Sequence, residues 1–186
     1  MSRYWPHSAY AEDQPLGHAI LTVHVATRAV TLGSIIGIGI TTTRTLIPAL
    51  RGASTASFGA RLLKSASSSI LITLGITGVG LVGRMWGRET IEWQDRSWRL
   101  LENRGQVETD DWTYAGMGAG ATAALVSMLN KGSNRPAMAT MGWKGVLGAA
   151  GLGSVGGMAG YMVWRYGIHG GKFATEATRK SERPSM

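Results

Sequence analysis

The chain has 186 residues, of which 27 are glycine and only two phenylalanine, with no cysteine and a net charge of +8. This excludes disulfides, cysteine-ligated zinc and thiol nucleophiles, and argues against a large aqueous core of the usual kind. The 19 Lys and Arg residues are scattered over connectors and tail with no dense block of interleaved aromatics, so nucleic acid is not an expected partner.

Residues 1–16 carry Glu12, Asp13, two prolines and one arginine without an apolar stretch. They read as neither a secretory signal nor an acid-poor transit peptide, so any organelle targeting is expected to be internal. Residues 17–40 are low in charge and long enough to cross about 30 Å of hydrocarbon. Within them Gly33 and Gly37 share a helical face, and His24 and Arg28 stand one turn apart. Residues 52–66 set Phe58, Leu62 and Leu63 beside Arg61 and Lys64, a pattern for a short interfacial helix or a solvated loop. A second span is predicted over 67–86. Over 88–104, Ile91, Trp98 and Leu101 fall near one helical face, with Trp86 and Trp93 as interface anchors, which predicts a helix on the membrane surface or against a partner.

The third and fourth spans, over 112–130 and 143–164, are rich in small residues at four-residue spacing: Ala115, Gly116 and Gly120, then Gly153 with Gly157 and Gly156 with Gly160. In water so much helical glycine would destabilise by roughly 1 kcal/mol per residue against alanine. In lipid the same residues let two helix backbones touch. Residues 166–186 form a polar, basic tail. The expected fold is therefore all-α, a single four-helix membrane domain over 17–165 with glycine-rich close packing and short interfacial helices in its connectors.

Charge gives a topology. The first connector holds Arg44, Arg51, Arg61 and Lys64, and the third Lys131, Arg135 and Lys144, both without an acid. The second mixes five arginines with seven acids between Arg84 and Asp111. Connectors one and three should share the positive side, leaving both termini opposite. The tail, with Arg179, Lys180 and Arg183 against Glu176 and Glu182, dissents.

Two matches to the G-x-G-x-x-G fingerprint, Gly78-Val-Gly80-Leu-Val-Gly83 and Gly151-Leu-Gly153-Ser-Val-Gly156, lie inside expected helices. That fingerprint works only at a strand-to-helix turn, so no nucleotide cofactor is expected. His24 and Arg28 at membrane depth read either as part of a proton or ion path, or as an arginine paired across the bundle or snorkelling, with His24 hydrogen-bonded. The second reading is favoured because the predicted spans contain no acid to complete a relay. His7, His18, His24 and His169 are too dispersed for a metal cluster, and no Ser-His-Asp spacing occurs. Neither catalytic nor metal-ligating residues are therefore expected.

Leading into the third span the sequence reads Arg104, three residues, Glu108, six residues, Ala115-Gly116, three residues, Gly120, with Trp93 eleven residues before the arginine and Thr90 three before that. This resembles the signature of the preprotein and amino acid transporter superfamily of the mitochondrial inner membrane. Its motif prefers Asp, Phe or Tyr, and Gly or Ala where this chain has Glu108, Trp93 and Thr90. The resemblance implies four spans, termini in the intermembrane space, and an Arg104–Glu108 pair that pins the connector to the third helix. It also implies one of two roles. Members related to a membrane-arm accessory subunit of respiratory complex I are similar in Asp110-Asp111 running into Trp112 and Tyr114; the other members form protein translocases or solute channels. An accessory subunit of that kind would have other membrane-arm subunits and acidic lipid such as cardiolipin as partners, and no small-molecule substrate.

Overall fold

The computed structural model describes residues 4–50, 56–129, 141–171 and 173. Among the described residues the regular elements are all helices, without a strand. In chain order the α-helices are α1 (Gly17–Leu46), α2 (Phe58–Met85), α3 (Thr90–Glu102), α4 (Arg104–Leu129) and α5 (Trp143–Met162), the last widening into a π-helical turn over Val163–Ile168. Three are long and apolar enough to cross a membrane: Gly17–Leu46, Phe58–Met85 and Trp143–Ile168. At 26 residues α4 has the length but not the apolarity, because its first turns carry Arg104, Glu108, Asp110 and Asp111 and alanine, glycine and threonine dominate much of the rest.

Several expected boundaries move. Of the expected interfacial helix over 52–66 the described part, 56–66, belongs to α2: Ser57 caps it by accepting from the Ala60 N–H at 3.3 Å, and Phe58, Leu62 and Leu63 lie in its first turns. α4 begins eight residues before the predicted span, where the Asn103 side chain accepts from the Gln106 N–H at 3.2 Å. A hydropathy window stops at acids, whereas a helix needs only a cap and residues that tolerate it. Arg51, Lys131, Arg135 and the charged tail from Glu176 onward lie outside the described residues.

Helices α1 and α2 pair antiparallel, as do α4 and α5, and α5 also packs on α1 and α2. The pairing rests on missing side chains. A Cβ on Gly33 would come 2.6 Å from Cα of Ile70, and one on Gly37 2.5 Å from Cα of Ala66. Between α4 and α5, a Cβ on Gly116 would strike the Gly153 carbonyl oxygen, on Gly120 that of Ala149, on Gly153 that of Gly116, and on Gly157 that of Trp112. Gly160 lies against the Trp112 ring at an ordinary 3.4 Å.

The interior is small and polar, and the exterior is apolar. Thr27, Thr31, Ser34, Thr41, Ser67, Ser69, Thr73, Thr113 and Ser154 are buried, while Ile72, Ile76, Val79, Leu129 and Val163 are more than half exposed. Thr27, Thr31, Ser34, Thr41, Thr73 and Thr113 each donate to the carbonyl four residues back, so burial leaves none of these six hydroxyls unpaired. In water this distribution would be inverted and aggregation-prone, whereas in hydrocarbon it is the stable one.

Candidate functional site

The charged residues sort to the two ends of the bundle. The start of α1, α3, the start of α4 and the end of α5 meet at one end, which holds every described acid from Glu89 to Asp111. At this end the structure departs most from expectation, because the relay judged to lack an acid has one. Asp110, buried six residues into α4, places Oδ2 at 2.7 Å from Nδ1 of His24 and Oδ1 at 2.5 Å from an Arg28 nitrogen. Arg28 also donates to Gln106 Oε1 at 3.1 Å. His24 and Arg28 are therefore paired across the bundle, as the favoured reading held, but to a carboxylate. The acid escaped notice because it lies just outside the apolar window yet within the helix.

α1 is about 45 Å long and overhangs a hydrocarbon slab by roughly 15 Å, so His24 and Arg28, about 10–16 Å from its start, sit near the polar boundary. Ionisable groups there need partners, and this trio supplies them mutually. Beside it lies a cavity of about 10 Å³ lined by Trp5, Ile20, Leu101, Val107 and Tyr114. That volume suits about one water.

A second ion pair ties α4 to the opposite neighbour. Glu108 accepts from Arg165, which is buried in the π-helical turn ending α5. The Arg165 guanidinium lies 4.9 Å from the Trp164 ring centroid and 4.3 Å from that of Phe173, so it is sandwiched by aromatics. The resemblance paired Glu108 with Arg104, but the partner found here comes from the far end of the chain. Arg104 stands at the first position of α4 with its guanidinium 6.0 Å from the Phe173 ring. Sequence reasoning missed Arg165 because it lay beyond the last predicted span, and only the π turn, in which the His169 N–H reaches the Trp164 carbonyl five residues back, brings it inward.

Trp86 and Trp93 were the expected interface anchors, with Trp98 on the face of α3 expected to meet a membrane or a partner, but His18 and the chain's first residues cover Trp93 and Trp98. His18 stacks on Trp93 at 4.3 Å and His7 on Trp98 at 5.9 Å, while the Trp98 indole N–H donates to the Ser8 carbonyl at 3.2 Å. The N-terminal segment keeps its shape through buried Gln14, whose amide donates to the Pro6 carbonyl at 2.9 Å and accepts from the Ser8 N–H at 3.2 Å. Trp86, 80% exposed, and Ile91 remain uncovered.

Chemically these arrangements hold helices together. Of the motif positions, Gly116 and Gly120 lie on the α4–α5 seam while Ala115 is exposed, Glu108 and Arg104 stand near the start of α4, and Trp93 lies on α3 under His18. The two dinucleotide-like motifs lie within α2 and α5, and neither opens a helix after a strand among the described residues. Gly153 and Gly151 of the second touch neighbouring helices, whereas Gly78, Gly80 and Gly83 of the first face open space. No protein-family model matches the chain, and no curated protein matches it.

Proposed function

We propose that the chain is a multi-pass protein of the mitochondrial inner membrane in which α1, α2, α4 and α5 all cross. It would serve as a non-catalytic accessory subunit of the respiratory complex I membrane arm. The observation that carries the reading is how its inward charges are used: Asp110 with His24 and Arg28, and Glu108 with Arg165, spend them on joining α4 to α1 and α5. Such a bundle offers rigid apolar flanks to neighbours. Crossing by α4 is supported by its antiparallel seam with α5, where Trp112, Gly116 and Gly120 oppose Gly157, Gly153 and Ala149. The relative it resembles around Asp110-Asp111 is the complex I component named NADH dehydrogenase alpha-subcomplex subunit eleven. A translocase or solute-channel role, the alternative from the same superfamily, would need a wide polar path, and the glycine seams leave little room for one.

The tagged protein, extracted in mild detergent, should migrate with a large particle carrying NADH dehydrogenase activity. Co-purification with protein-import components instead would overturn the assignment. Orientation can be tested separately because the native chain contains no cysteine. Cysteines introduced by Gly59→Cys and Lys144→Cys are expected to react with an impermeant maleimide only from the matrix side. Those from Ala9→Cys and Asn103→Cys should react only from the intermembrane space. Labelling of Gly59→Cys and Asn103→Cys from one side would refute the single crossing between them, and with it the proposed topology.

A further inference from the structure

At the end opposite the acids, the tail of α1 and the head of α2 enclose a cleft of about 330 Å³ lined by Arg44, Arg61, Lys64, Thr41, Ser65 and Ser68. Three cations converge there, and the sequence contains no acid between Asp13 and Glu89 to offset them. None of the three forms an ion pair among the described residues, and α5, the other helix packed here, contains no acid either. Arg61 and Lys64 also occupy the first two turns of α2, where the positive end of the helix dipole opposes them. The Nε of Arg61 is buried and without a hydrogen-bond partner. A buried donor, three mutually repelling charges and two lining serines together describe a site that lacks its anion.

The surroundings say what carries the anion. Along α2 the face of Arg61, Ser65 and Ser68 continues through Ile72, Ile76 and Val79, which are 64%, 68% and 75% exposed. On the α1 side, Ile36 and Ile40 are likewise exposed next to Thr41 and Arg44. A polar, cationic head thus runs directly into an apolar stripe along two membrane-spanning helices. We infer that this cleft binds the phosphate of an anionic glycerophospholipid, with its acyl chains lying along Ile36, Ile40, Ile72 and Ile76. Arg61, turning its guanidinium into the cleft, would hold a phosphate oxygen, Arg44 and Lys64 would supply the remaining charge, and Ser65 and Ser68 would donate to headgroup oxygens.

The inference rests on the membrane reading, and the test separates the two. Full-length protein is reconstituted into vesicles of phosphatidylcholine with a minor share of phosphatidylglycerol, re-extracted in mild detergent, and its retained lipid measured by native mass spectrometry. Wild type should retain phosphatidylglycerol over phosphatidylcholine by at least about tenfold relative to the input ratio. The variant Arg44→Gln/Arg61→Gln/Lys64→Gln should lose that preference with helix content unchanged by circular dichroism. A control, Arg88→Gln/Arg96→Gln/Arg99→Gln, removes equal charge at the other end and should keep it. Equal retention by the cleft variant, or equal loss by the control, would refute the site. Displacement of the lipid by equimolar inorganic phosphate would show that free phosphate, rather than a lipid, is the occupant. Failure to float with vesicles after alkaline extraction would sink the membrane reading itself, whereas intact flotation without lipid selectivity sinks only the cleft.

Discussion

Gly116→Leu is expected to lower the yield of folded, membrane-extracted protein by at least about tenfold, and Gly157→Leu to do the same. At both positions a Cβ would collide with a backbone carbonyl of the opposing helix, that of Gly153 for Gly116 and that of Trp112 for Gly157. A clashing rotamer can swing away, but a carbonyl in a helix moves only if the helix moves, so the α4–α5 seam must open along its length. Overpacking in a well-filled interior costs about 1–3 kcal/mol. Four leucine atoms driven into a backbone seam belong at or above the upper figure, and about 1.4 kcal/mol already corresponds to tenfold. The matched comparison is Gly78→Leu or Gly156→Leu, where nothing lies within 4 Å of the new Cβ. These should leave yield unchanged or raise it, since leucine is the better helix former by roughly 1 kcal/mol. Detergent-extract melting curves and membrane abundance for the four variants decide the matter. Equal losses at seam and open positions would remove close backbone packing as the principle of the fold.

That contrast also marks what the sequence could show. Spacing identified Gly33, Gly37, Gly116, Gly120, Gly153 and Gly157, because a four-residue repeat of small residues has one physical use in an apolar helix. It could not separate them from Gly78, Gly80 and Gly83, which repeat almost as well yet face outward, since the register of a helix pair depends on where the neighbour sits. Gly148, against the Leu63 carbonyl, and Gly151, against Ser34 and Ile70, were not singled out for packing because their contacts are with α2 and α1 rather than with α4. The mixed-charge connector was recognised as a helix, but the chain's own N-terminal segment supplies the surface that covers its tryptophans. His7 and His18 carried no pattern that would reveal stacking on Trp98 and Trp93. The largest gap was Asp110: hydropathy treats an acid as the edge of a span, yet a carboxylate one helical turn or two from the boundary can remain inside when a histidine and an arginine wait there.

Asp110→Leu is therefore expected to be among the most damaging single substitutions in the chain, destabilising by about 3–5 kcal/mol because it strands the Arg28 charge against α4 with nothing to neutralise it. Asp110→Asn, which keeps an acceptor for His24 or Arg28 but not the charge, should fall between that variant and wild type. The same physics predicts recovery when the whole trio is removed: His24→Leu/Arg28→Leu/Asp110→Leu deletes each unpaired group together and should regain most of the loss. Detergent unfolding midpoints of the three variants measure this. A single substitution that left the midpoint unchanged would refute the clamp. The triple variant also decides between the two readings of these residues. A clamp is replaceable by apolar packing, so under the proposed accessory role the triple variant should assemble with the parent complex and support its activity at nearly the wild-type level. A proton or ion path is not replaceable, and a stable, assembled triple variant that had lost proton pumping would assign the trio to transport.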